Sequence, residues 1–191
     1  MNLANKLTVS RIVLTFIFMF FLFMEGVTFK FLALGIFIAA CITDLYDGRI
    51  ARKRNMVTSF GKLMDPIADK VLTLGAFLAF VELGLVPAWM VVLIILRELI
   101  ITCVRFHVLT KGEVLVARKS GKHKTVSQMV SIFAILIFMI IREIGVVWMG
   151  FWTDAIDHWS RWSIFFLMLV TVIFTLISGI SFLVRNRKVL I

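Results

Sequence analysis

The stretch Thr43–Lys70, TDLYDGRIARKRNMVTSFGKLMDPIADK, sets four aspartates, Asp44, Asp47, Asp65 and Asp69, into a chain that is otherwise apolar. On a helix advancing about 100° per residue, Asp44, Asp47, Gly48 and Ala51 occupy one arc of roughly 100°, and Gly61, Asp65 and Asp69 share an arc of roughly 80° on the next. Matched acidic faces on neighbouring helices need a counter-charge, because a bare carboxylate in a low-dielectric medium either takes up a proton or is held at high cost. Divalent cations supply that charge. Hard carboxylate oxygens favour magnesium, manganese or calcium over zinc.

Outward from this stretch the sequence reads as membrane helices. Of 191 residues 61% are hydrophobic, prolines number two, and the mean hydropathy is +1.04, a composition that selects helices in a bilayer over a soluble core. Apolar runs cover Ile12 to Met24, Phe31 to Ile50, Phe60 to Phe80, Trp89 to Leu109, Val126 to Ile141 and Trp162 to Val184. They predict one all-α integral membrane domain over residues 1–191, a bundle of six transmembrane helices. The first and fifth runs fall short of the ~20 residues of a straight crossing, so they are expected to extend into Thr8 to Arg11 and Arg142.

The charge map orients the bundle. Fifteen of the 21 basic residues fall on one side: Lys6, Arg11, Arg49, Arg52, Lys53, Arg54, Lys62, Lys111, Arg118, Lys119, Lys122, Lys124, Arg185, Arg187 and Lys188. Lys30, Arg142 and Arg161 lie on the other, and Lys70, Arg97 and Arg105 fall within spans. Excess Lys and Arg marks the cytoplasmic side, so both termini are expected there. The net charge of +10 speaks for anionic headgroups rather than nucleic acid, because its carriers hug membrane edges and no soluble fold presents them. No small-residue cleavage site follows the first apolar run, so that run reads as a retained helix. Cys41 and Cys103 sit in apolar spans as small packing residues. The tryptophans at 148, 152, 159 and 162 read as an interfacial belt on the outer side.

The pattern D-x2-D-G-x2-A-R-x8-G-x3-D-x3-D, met by Asp44, Asp47, Gly48, Ala51, Arg52, Gly61, Asp65 and Asp69, arises by chance about once in 10^10 registers at ordinary residue frequencies. It resembles the signature of the CDP-alcohol phosphatidyltransferases, membrane enzymes that replace CMP on a CDP-linked lipid with an alcohol. A pyrophosphate substrate brings concentrated negative charge, and two metal ions a few ångströms apart neutralise both the attacking and the leaving oxygen. Asp44, Asp47 and Asp65 are the candidate shared ligands. Asp69 lies one turn beyond Asp65, placed to meet an acceptor hydroxyl; the resemblance implies that it is the general base and also a ligand of the second metal. Gly48, Ala51 and Gly61 clear side chains from the acidic faces, so that a nucleotide can approach. The Arg52 guanidinium suits pyrophosphate oxygens, and Thr43 adds a hydroxyl contact to the CDP-lipid.

A second charged group concerns the acceptor. Arg97 and Glu98 lie deep in an apolar helix, with Arg105 close to the same face, and intramembrane ions of this kind are candidate functional residues unless they merely pair with each other. The segment ARKSGKHKT adds Arg118, Lys122 and Lys124 at a helix start, an arrangement suited to an anion. NKLTVSRI, PAWMVVLIILREL, TCVR and GEVLVARKSGKHKTVSQ resemble, in order and spacing, the bacterial phosphatidylglycerophosphate synthase branch of the family. That resemblance implies CDP-diacylglycerol as donor, glycerol 3-phosphate as acceptor, a homodimer, and a multi-pass location in the bacterial cell membrane with the site facing the cytoplasm. The rival acceptors are serine and an inositol phosphate. A cation transporter is the rival class, disfavoured because the acids cluster near the cytoplasmic helix ends and no internal repeat appears.

Overall fold

The computed structural model describes residues 3–54, 59–110 and 120–186, with the side chains of residues 9–43, 70–106, 108 and 124–186. Among the described residues the chain is all α-helical, in the order α1 (Leu3–Phe23), α2 (Val27–Arg54), α3 (Ser59–Glu82), α4 (Ala88–Thr110), α5 (Ser120–Ile144) and α6 (Asp154–Arg185). A π-helical turn, Gly145–Met149, extends α5. The first and fifth helices do run through Thr8 to Arg11 and through Arg142. Residues 124–149 and 154–185 form helices long and apolar enough to cross a membrane, and Val9–Phe23 and Val27–Thr43 are shorter apolar helices.

Turn chemistry explains the joints at one end of the bundle. Gly26 takes a φ of 111° between α1 and α2, a conformation open to a residue without Cβ. Lys30 reaches back across this turn and donates from Nζ to the carbonyls of Leu22 and Met24, both at 2.7 Å. These are orphan acceptors at the end of α1, and a buried ammonium satisfies them while opposing the negative end of the helix dipole. Glu143 on α5 accepts from the Gly26 backbone N–H at 3.0 Å, fixing the same turn to the far side of the bundle.

The core is aromatic and aliphatic. Phe18, Phe37, Phe77, Phe80, Met90, Ile94, Ile132, Ile135 and Met168 are fully buried, drawn from all six helices. Phe37 meets Phe18 at 5.4 Å and Phe133 edge-on at 5.3 Å between ring centroids. α1 packs against α2 and α3, α5 against α2, α3 and α6, and α4 against α3 and α6. Thus α2 and α3, the carriers of the aspartates, share the neighbours α1 and α5. Gly75 lets α3 approach α1, since a Cβ there would stand 3.0 Å from the Thr15 methyl.

The outer faces are apolar as well. Phe16, Phe20, Phe31, Leu32, Leu96, Leu99, Ile100, Ile173, Ile177 and Ile180 are all exposed, far more contiguous apolar surface than a soluble monomer presents. Apolar inside and apolar outside is the pattern of helices solvated by lipid, where association rests on close packing and interhelical hydrogen bonds.

Candidate active site

The acidic stretch lies on two continuous helices: Asp44, Asp47, Gly48, Ala51 and Arg52 belong to α2, and Gly61, Asp65 and Asp69 to α3. The side chains of these eight residues, and those of Arg118 and Lys122, lie outside the described ones. Thr43, at the edge of the described part of α2, donates its hydroxyl to the Ala39 carbonyl at 2.7 Å. Among the described residues no three His, Cys, Asp or Glu side chains gather as metal ligands.

One residue after Asp69, Lys70 joins a cluster whose side chains are described. Glu98, on α4, is buried and gathers cations from three helices. Lys124 of α5 pairs with its Oε1; Arg97 of α4 pairs with the same oxygen through Nη1 at 3.1 Å; Lys70 of α3 stands 3.6 Å from Oε2. Lys70 also bonds the Thr102 hydroxyl and lies 3.3 Å from the Glu98 carbonyl. Arg97 continues to α6, donating from Nη2 to the Ser178 hydroxyl at 3.1 Å.

Among the described residues three cations meet one carboxylate, in a largely buried place. A lone buried charge is expensive, so the carboxylate holds the cations in position. Sequence reasoning placed Arg97 and Lys124 among the anion ligands, and the structure brings them together. Arg105 does not contact Glu98 directly: it is exposed, its guanidinium lies 5.6 Å from the Phe182 ring centroid, and its charge is still felt by Lys70 and Arg97. Lys70 and Ser178 were missed as partners. Lys70 had a readable signal, a cation at the i+1 position of an aspartate inside an apolar span; Ser178 had none, because only folding sets it against Arg97.

The opposite end of the bundle is built differently. Asp157 at the start of α6 accepts from Arg142 Nε at 2.9 Å, Arg161 Nε at 2.6 Å and the Trp152 indole N–H at 3.2 Å. Trp152 therefore departs from the belt reading: it is half-buried and tied into this cluster, while Trp148, Trp159 and Trp162 are exposed. An open cleft of 520 Å³ lies beside it, lined by Gly84, Leu85, Val86, Pro87, His158, Arg161, Trp162 and Phe165. It holds none of the acidic or cationic residues singled out for catalysis.

Acidic stretches on α2 and α3 of an apolar helical bundle thus accompany a buried cluster of cations around Glu98. The chain belongs to the CDP-alcohol phosphatidyltransferase family, whose profile matches residues 1–159, and it is a phosphatidyltransferase. It is 36% identical over 201 residues to the CDP-diacylglycerol--glycerol-3-phosphate 3-phosphatidyltransferase of Bacillus subtilis, an alignment covering 99% of this chain and 97% of that one. The enzyme of the same name from Rickettsia typhi is 34% identical over 172 residues, 89% of this chain and 92% of the relative. A probable phosphatidylglycerophosphate synthase of Mycobacterium tuberculosis is 44% identical over 134 residues, 69% of this chain and 64% of the relative. The family generally uses divalent metal ions.

Proposed function

We propose that this chain transfers the phosphatidyl group of CDP-diacylglycerol to glycerol 3-phosphate, giving phosphatidylglycerophosphate and CMP, the reaction named by its Bacillus and Rickettsia relatives. The observation that supports the acceptor assignment is the surplus of cation at Glu98 among the described residues, where Lys70, Arg97 and Lys124 share one buried carboxylate. A phosphate monoester brings close to two negative charges at neutral pH and satisfies that surplus. Free serine brings no such group.

In this reading Lys70, Arg97 and Lys124 hold the acceptor phosphate, assisted by Arg105, Arg118 and Lys122 at the entrance. Thr43, Gly48, Ala51, Arg52 and Gly61 receive the nucleotide and its pyrophosphate. The donor set Asp44, Asp47, Asp65 and Asp69 is all hard carboxylate oxygen and fits two magnesium or manganese ions. When bound, such ions neutralise the pyrophosphate and the departing oxygen. Asp69 takes the proton of the acceptor hydroxyl as that oxygen bonds to the phosphatidyl phosphorus; the bond from phosphorus to the CMP oxygen breaks. Lys70, adjacent in sequence to Asp69, ties the acceptor phosphate site to the base through the backbone of one helix.

The exposed apolar helix faces support six spans in a bacterial cell membrane, with both termini and the acidic ends of α2 and α3 on the cytoplasmic side. CDP then meets the acids while the acyl chains stay in lipid. The active species in this reading is a homodimer. Purified protein in detergent, given labelled CDP-diacylglycerol and each acceptor in turn, tests the proposal. Metal-dependent CMP release with glycerol 3-phosphate is expected. Release with serine or an inositol phosphate alone refutes the acceptor, and no release with any alcohol refutes the reaction.

A further inference from the structure

The seam between α4, α5 and α6 contains polar groups that the phosphate site does not use. Near one end of it Ser131 and Thr171 share a hydrogen bond of 2.7 Å. Near the other, Arg97 binds Ser178 and Lys124 pairs with Glu98. Arg142 meets Asp157 further along, so α5 and α6 run antiparallel. Between the two rungs lie Gln128, one turn from Lys124, and Thr175, one turn from both Thr171 and Ser178.

Gln128 is 5% exposed and Thr175 is fully buried. Gln128 Nε2, Thr175 Oγ1 and Arg97 Nε have no hydrogen-bond partner among the described residues. Their neighbours on the same faces are satisfied: Ser127 donates to the Lys124 carbonyl at 2.8 Å, and Thr171 lies 3.1 Å from the Leu167 carbonyl. Buried polar groups are normally paired, and unpaired ones call for a reason. Here the amide donor lies about one helical turn, roughly 5–6 Å, along α5 from Lys124, and the hydroxyl about as far along α6 from Ser178, the partner of Arg97. That is the reach from a phosphate to the hydroxyls of a three-carbon alcohol.

We infer that Gln128 and Thr175 form a hydroxyl-reading subsite for the acceptor, binding the hydroxyl on its middle carbon while Lys70, Arg97 and Lys124 hold its phosphate. A hydroxyl both accepts and donates, and the pair offers one of each: the Gln128 amide N–H donates to it and Thr175 Oγ1 accepts from it. The subsite rests on the reading of the acceptor as glycerol 3-phosphate and adds to it the group by which that alcohol is told from others. A site built to bond a substrate hydroxyl discriminates strongly against an analogue lacking it, because the protein groups are then left unpaired.

The test compares glycerol 3-phosphate with 3-hydroxypropyl phosphate, which keeps the phosphate and a primary hydroxyl and lacks the middle one. Full-length protein in detergent with CDP-diacylglycerol is expected to prefer glycerol 3-phosphate by roughly 10- to 100-fold in kcat/KM. In Gln128→Leu and in the nearly isosteric Thr175→Val, that preference should shrink to within about threefold, through loss on glycerol 3-phosphate alone. The KM for CDP-diacylglycerol should not change, and the melting temperature should hold or rise, since an unpaired polar group has left the interior. Loss on both acceptors with a lower melting temperature would mark a structural role and overturn the inference. So would a wild-type protein active on glycerol 3-phosphate without preference, or variants that keep it; if Gln128→Leu fails to fold, Thr175→Val decides. A wild-type protein inactive with glycerol 3-phosphate but active with another alcohol sinks the acceptor assignment first.

Discussion

Arg97 on α4 and Ser178 on α6 are joined by a 3.1 Å hydrogen bond, and the glycine next to Ser178 makes room for it. A Cβ on Gly179 would fall 2.9 Å from Arg97 Cγ, so the arginine stem lies directly on the backbone of α6. Gly179→Leu should push the guanidinium off both Ser178 and Glu98. The expected result is an acceptor KM raised roughly tenfold, at an overpacking cost of about 1–3 kcal/mol. Steady-state kinetics with each substrate varied would show it, and an unchanged acceptor KM would separate Arg97 from acceptor binding.

Glu98 is the sole acid in contact with Lys70, Arg97 and Lys124 among the described residues. Glu98→Leu leaves three cations without their shared partner, and breaking a buried pair in this way typically costs about 3–5 kcal/mol. Thermal unfolding in detergent should show a large drop in midpoint, smaller in Glu98→Asp. A variant melting like the wild type would mean that solvent or lipid already neutralises the cluster.

Asp69→Asn keeps the shape of the side chain and removes its basicity. Turnover should fall by at least about 10²-fold, the usual worth of a general base, while binding of the CDP-lipid stays measurable. Full activity in this variant would assign the base elsewhere.

Chelation tests the acidic pair of helices as a unit. EDTA should abolish CMP release, and added magnesium or manganese should restore it, because all four donors are carboxylates. Catalysis that survives chelation would leave Asp44, Asp47, Asp65 and Asp69 without the role given them.

At the other end, Asp157→Ala removes the common acceptor of Arg142, Arg161 and Trp152. Both arginine side chains are more than 40% exposed, so screening limits the loss to about 1 kcal/mol, smaller still at high salt. Kinetic constants should stay close to wild type. A collapse of activity would show that the two ends of the bundle communicate.

Composition pointed to the helices found among the described residues, because long apolar runs bounded by Gly, Pro and charge favour a backbone that satisfies its hydrogen bonds within each segment. The acidic motif likewise pointed to the family, which the profile match over residues 1–159 shows. Arg97 and Lys124 were legible as buried charges, and the pairing of Arg97 with Glu98 that the sequence left open is present, with Lys124 on the same carboxylate. Which cations actually meet was decided only by the tertiary structure. Glu98 draws in Lys70 and Lys124 from other helices, whereas Arg105 stacks on Phe182 and acts on Lys70 and Arg97 through its charge rather than by contact with Glu98. Helical periodicity fixes the direction of a side chain about its own axis but carries no information on the rotation or depth of the neighbour it faces. Those follow from packing, from Gly179 beneath Arg97 and from the Ser131 to Thr171 rung, and they bring charges from three helices to one carboxylate.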